Sequence, residues 1–158
     1  MSEKIKISKN FNLKELTASA TADRLDIDNG PSTEHLINLT VVTHKILQPV
    51  REQFGVVTVN SGYRSPALNK AVGGSARSQH CNGEAVDLEC FSVSNPDLAK
   101  WITKNLDWDQ IILEFYKKGD PHSGWVHCSY KRDGTNRRKI LTALRINKRT
   151  VYKPGFAI

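Results

Sequence analysis

Cysteine is scarce and unpaired in this chain. Cys81, Cys90 and Cys128 are an odd number and lack any Cys-x-x-Cys spacing, which argues against a disulfide framework and against a multi-cysteine zinc site. Long apolar runs are missing as well. No stretch approaches the roughly 20 residues that a membrane-spanning helix needs, and the start, Met-Ser-Glu-Lys-Ile-Lys-Ile-Ser-Lys, has no apolar core of the secretory type. Synthesis and accumulation in a reducing cytoplasm are therefore expected. Repeats and low-complexity linkers are lacking too, so residues 1–158 read as a single domain. That length can bury a substantial core, and a charged content of 25% is ordinary for a soluble globular protein. No zinc-finger, helix-turn-helix or RNA-recognition signature is present.

Basic residues are abundant in one place only. Residues 131–158 hold nine lysines and arginines against one acid, Asp133, a net +8. Residues 1–130 hold fourteen bases and fifteen acids, so the formal excess of +7 belongs wholly to the C-terminal segment. Such a segment can attract an anionic polymer, a lipid headgroup or nucleic acid, or simply form a solvated face.

The rest of the pattern describes an α+β scaffold. Pro31-Ser32-Thr33-Glu34 offers capping chemistry for a helix over Ser32–Gln53. Leu36, Leu39, Thr43, Ile46 and Val50 recur in it at helical steps, and Pro49 predicts a kink or an early end. Val56–Asn60 reads as a strand, Ser65–Val72 as a short helix ending at Gly73-Gly74, and Pro96–Asn105 as another helix. Ile140–Ile146 and Thr150–Tyr152 are expected to form a hairpin about Asn147-Lys148.

Chemistry concentrates in Ser78–Asp87 and Trp125–His127. His80, Asp87 and His127 offer two imidazoles and a carboxylate, the donor set of a catalytic zinc ion with one position open for water. His80 falls in a loop that turns at Asn82-Gly83 before a strand begins at Ala85. Side chains alternate along a strand, so Val86, Leu88 and Cys90 face one way and Ala85, Asp87 and Glu89 the other. The same alternation sets Gln110, Ile112 and Glu114 opposite Ile111, Leu113 and Phe115, and Trp125, His127 and Ser129 opposite Val126, Cys128 and Tyr130. If the three strands share a small antiparallel sheet, Asp87, Glu114 and His127 converge. Cys90 and Cys128 then lie on the core side, where a thiol acts as a small hydrophobe. Cys81 adjoins His80, but thiolate ligation of zinc usually comes in multiple-cysteine sets.

The pattern Ser-x-His-x-x-Gly-x-Ala-x-Asp followed by Trp-x-His resembles the zinc D-Ala-D-Ala carboxypeptidase family, whose fold includes phage L-alanyl-D-glutamate endopeptidases and the hedgehog signalling domain. Phe11-Asn12-Leu13-Lys14-Glu15-Leu16, Ser61-Gly62-Tyr63-Arg64-Ser65 and Gly73-Gly74-Ser75 resemble segments of its compact phage and bacterial members. The resemblance implies that His80, Asp87 and His127 bind Zn2+, that Arg64 contacts substrate or a developing oxyanion, and that Ser78 binds substrate. It also exposes a departure. Members that carry Glu-x-x-His before the last ligand would have Glu where Gly124 stands, and those with His-x-His would have His where Trp125 stands. Glu114, on a strand, is the expected general base, with loop residue His122 as the alternative.

The implied activity is zinc-assisted hydrolysis of amide bonds in peptidoglycan stem peptides. With no leader, the enzyme would reach a wall only after release or delivery, as a phage lysin does. The competing class is a nucleic-acid-binding or virion structural protein that works through its basic segment and keeps a structural or degenerate zinc site. Both carboxypeptidase and endopeptidase activity are compatible with the sequence.

Overall fold

The computed structural model describes residues 5–158, so the first four residues of the segment read above for a secretory leader lie outside it. The described part begins with a short antiparallel pair, β1 (Lys6–Ser8) and β2 (Phe11–Asn12). Two short helices follow, α1 (Leu13–Thr17) and α2 (Ala20–Leu25), each started by a polar cap. Asn12 accepts from the Glu15 amide and Ser19 from the Ala22 amide. These elements carry no long periodic pattern, and the sequence did not announce them.

The long helix is present but is built in three parts. Ser32 caps α3 (Thr33–Val42), a π-helical turn occupies Thr43–Leu47, and α4 (Gln48–Phe54) completes it. Pro49 therefore neither ends nor breaks the helix. A proline ring collides with the carbonyl four residues earlier and gives it no hydrogen bond. The wider turn just before Pro49, closed by the Gln48 amide on the Thr43 carbonyl, removes that demand. Gln48 is buried and ties the N-terminal pair to the helix. Its Oε1 accepts from Ser8 Oγ at 2.6 Å and from the Asn10 amide at 3.1 Å.

Six strands form the main sheet: β3 (Val57–Ser61), β4 (Ala85–Cys90), β5 (Gln110–Glu114), β6 (Trp125–Ser129), β7 (Lys139–Ile146) and β8 (Arg149–Pro154). Their order is β3-β4-β6-β5-β7-β8. The three strands singled out for the site are central, with β6 antiparallel to β4 on one side and to β5 on the other. The sheet extends further than expected, because β7 pairs with β5 in parallel and β8 closes the edge. The C-terminal hairpin turns at Asn147 and Lys148, both left-handed at φ 50° and 64°, as tight two-residue hairpin turns require.

One face of the sheet packs on helices. Val86, Leu88, Cys90, Ile111, Leu113, Val126 and Cys128 meet Leu39, Val42, Ile46 and Val50 of the long helix and Leu98 and Ile102 of α6 (Asn95–Asn105). α5 (Pro66–Ala71), capped by Ser65, precedes the loop that carries His80. All three cysteines are free, with Cys90 and Cys128 buried. Phe115 departs from the expected core row. The strand ends at Glu114, and Phe115 adopts a left-handed φ of 57° with its amide donated to the Ala143 carbonyl at 2.9 Å. That twist swings its ring out of the helix-covered face. Among the described residues no helix is long and apolar enough to cross a membrane.

Candidate functional site

The register of the central strands assembles the site. Asp87 on β4 lies opposite His127 on β6, and His127 lies opposite Ile112 on β5. Glu114 pairs with Trp125, two residues along, so it stands diagonally across from His127 on the same face. The second imidazole comes from a 3₁₀ turn, Gln79–Asn82, capped by the Ser78 hydroxyl, which accepts from the His80 amide at 3.2 Å. His80, Asp87 and His127 are all buried, and their ligand atoms lie within 4.8 Å of one another.

Hydrogen bonding orients the His80 ring. Its Nδ1–H donates to the Gly62 carbonyl at 2.7 Å, which leaves a bare Nε2 in the neutral ring. That lone pair faces Asp87 Oδ1 at 3.2 Å, and His127 Nδ1 approaches the same oxygen at 3.0 Å. An acceptor facing an acceptor is an arrangement that a cation or an extra proton resolves. Orientation of a ligating histidine by a carbonyl on its other nitrogen is also the usual support of a metal site. The three residues thus fit a zinc ion in donor type and in spacing. Burial would push the Asp87 carboxyl up, but with that extra proton on the ring the charge of His80, and hydrogen bonds from His127 and His80, outweigh it and hold the group well below the usual carboxylate range.

Glu114 is perturbed the other way. Burial, reinforced by the negative charge of Asp87, pushes its carboxyl up to about 7, against smaller opposing effects of His127 and Arg64. It lines a cavity of about 780 Å³ together with His80, Asp87, His127, Arg64 and Ser78. Arg64 gives its backbone amide to the His80 carbonyl at 3.1 Å, while its Nε is buried without a partner among the described residues. His122 is not part of this cavity. It is exposed and stacks on Phe91 at 5.6 Å. Cys81 is outside the group of potential ligands.

Gly124 explains the unusual sequence before the last histidine. Its φ is 66°, and a Cβ placed there would lie 1.8 Å from the Glu114 carbonyl oxygen. A side chain of any kind, the glutamate of Glu-x-x-His included, is excluded by this backbone. Trp125 instead lays its ring against Phe115 at 5.5 Å.

Several supporting residues left no usable signal in the sequence. Asn29 holds the Arg64 loop, donating to the carbonyls of Thr17 and Tyr63 at 2.8 and 3.0 Å and accepting from the Ser65 amide at 2.7 Å. Asp109, fully buried, accepts from Arg137 Nη2 at 2.7 Å, the Arg137 amide at 2.8 Å, Gln79 Nε2 at 3.0 Å and Ser129 Oγ at 3.2 Å. Burial would raise its carboxyl, but the Arg137 bonds hold it well below the usual range. Since Gln79 directly precedes His80, this network braces the metal loop from the C-terminal segment. Arg138 pairs with Asp107 and lies over the Trp108 ring.

A family model described as Peptidase M15 matches residues 9–129, more than half of the chain. The chain belongs to the peptidase M15 family. No curated protein matches it. M15 peptidases are zinc-dependent, and here the buried His80, Asp87 and His127 could hold that metal. The M15 match ends at Ser129, so the β7–β8 hairpin lies outside it.

Proposed function

We propose that this M15 metallopeptidase hydrolyses amide bonds in peptidoglycan stem peptides, as a phage-type lysin or a wall-remodelling enzyme. The observation that carries the reading is the position of Glu114. It is a carboxyl raised to about 7 on the same sheet face as Asp87 and His127, with His80 lining the same cavity, which is large enough for a peptide. Zinc, if held by those three residues, would supply a Lewis acid that makes water nucleophilic near neutral pH. Glu114 takes the proton of the attacking water and delivers it to the leaving amine nitrogen, a role suited to an acid titrating near the working pH. Arg64 holds a substrate carboxylate with its planar guanidinium. The Ser78 hydroxyl accepts from His80 and can donate its own hydrogen to the substrate.

In this reading residues 1–158 act as one catalytic domain. The protein is made in the cytoplasm and works on the wall after release, and its basic segment draws it to anionic wall polymers. A polyanion-binding role for that segment alone is weakened by the commitment of Arg137 and Arg138 to Asp109 and Asp107. The deciding experiment is mass spectrometry of the products from purified peptidoglycan, with and without a chelator. Chelator-sensitive loss of a terminal D-alanine identifies a carboxypeptidase, and internal cuts identify an endopeptidase. Intact muropeptides beside a salt-sensitive gel shift would overturn the proposal.

A further inference from the structure

The β7–β8 hairpin, beyond the segment matched by the family model, forms part of the wall of the metal cleft. Parallel pairing sets Leu141 beside Ile112 and Ala143 beside Glu114. Antiparallel pairing then sets Tyr152 beside Ala143, and Thr150 beside Arg145. By alternation Ala143, Arg145, Thr150 and Tyr152 share the face of Glu114, and Arg145, Thr150 and Tyr152 all line its cavity.

Arg145 is the side chain in this wall with chemistry still to spend. Among the described residues it has no carboxylate partner, unlike Arg137 and Arg138. Its guanidinium lies over the Phe115 ring at 5.5 Å. That ring is itself held by the left-handed turn at Phe115 and by contact with Trp125. Stacking presents the planar fork while leaving its N–H edges free for an acid. Phe115 and Trp125 make an apolar shelf between Arg145 and the metal-binding residues. Arg145 lies four residues along and two strands across from His127, roughly 16 Å at the backbone by standard strand spacings. An extended peptide covers that distance in about five residues, and fewer once the length of the arginine side chain is counted.

We infer that Arg145 is a specificity-determining residue that binds a carboxylate on the peptide substrate, about three to five residues from the scissile amide. The inference rests on the peptidase reading and adds to it a preference for acidic peptides, set by a hairpin outside the family match. Arg64 lies beside His80, so the two arginines mark different distances from the reacting bond.

The test uses stem-like soluble peptides that carry one glutamate, or one glutamine in its place, at successive positions on either side of the cleaved bond. The zinc-loaded wild-type protein should show a glutamate preference of about 10-fold in kcat/KM at one distal position, within the range of a charge-assisted hydrogen bond. The preference should appear in KM. Arg145→Ala and Arg145→Gln should reduce it to about one, Arg145→Lys should restore part of it, and Arg145→Glu should reverse it. Arg145→Gln retains bulk over Phe115, so it reports on charge if the alanine variant is poorly folded. A distal preference that survives in Arg145→Gln, or no preference at any position, overturns the inference. If wild-type protein cleaves none of the peptides, the peptidase reading fails instead. Calorimetric binding of the same glutamate and glutamine pairs then decides on Arg145: an Arg145-dependent preference for the acid upholds it, and equal binding sinks it.

Discussion

Glu114 and Gly124 show how single residues set the chemistry of this site. Gly124 passes so close to the Glu114 carbonyl that no Cβ fits, and in the proposed mechanism a neighbouring strand supplies the carboxyl instead. Gly124→Ala combines a strained left-handed backbone with a collision and should cost at least about 2 kcal/mol, read by chemical denaturation. A loss below about 0.5 kcal/mol, the size of an ordinary surface change, would mean that this crossing has room for a Cβ. Glu114 also links pH to stability. Its carboxyl rises from an ordinary 4.5 to about 7 in the folded protein, so between those values the folded state binds the proton that the unfolded state releases. Its contribution is complete below pH 4.5 and is lost as pH rises through about 7. In metal-free protein this loss should amount to about 3 kcal/mol. Glu114→Gln should flatten the decline in denaturation curves taken across that range, and an unchanged slope would contradict the assignment of the raised pKa.

At the scale of elements, the brace between the C-terminal segment and the metal loop invites a direct test. Arg137→Ala leaves the buried Asp109 without its cation and should destabilise the fold by about 3 kcal/mol. It should also weaken zinc binding, because Gln79, which precedes His80, loses its bond from Arg137 and keeps only the one to Asp109. The Asp109 carboxyl is depressed, so its contribution is present above the ordinary carboxylate range and disappears as pH falls below about 4. Asp109→Asn should remove that acid sensitivity. These elements also show what could be read in advance. Period-2 alternation in Ala85–Cys90, Gln110–Glu114 and Trp125–Ser129 correctly divided core from cleft, because one face of each strand is buried against helices. The same rule misplaced Phe115, since a single left-handed residue ends the alternation. Pro49 suggested a kink or an early end because local sequence does not reveal a π turn that accommodates it. Pairing of β5 with β7 was also hidden, since alternation within a strand does not name its neighbour.

Across the whole molecule, the charge imbalance takes on a different meaning in three dimensions. Arg137 and Arg138 are tied to acids, and Arg145 faces the cleft. Arg149 and Lys153 alternate with Thr150 and Tyr152 and so point away from it, with Lys148 exposed at the hairpin turn. Neutralising Lys148, Arg149 and Lys153 together should slow action on intact walls most strongly at low salt, since exposed charges are screened over about 10 Å at 0.1 M ionic strength. Hydrolysis of a soluble stem peptide should hardly change. Equal losses on walls and on the soluble peptide would place these residues in catalysis and end the recruitment idea. In the proposed mechanism His80, Asp87 and His127 hold the zinc while Glu114 moves the proton. Zinc content measured alongside turnover in two variants tests it most directly. Glu114→Gln should retain one zinc per chain and lose roughly 10²–10⁴-fold in turnover, whereas His127→Ala should lose most of its metal and all activity. Stoichiometric zinc and unchanged hydrolysis in His127→Ala, or near wild-type turnover in Glu114→Gln, would contradict it.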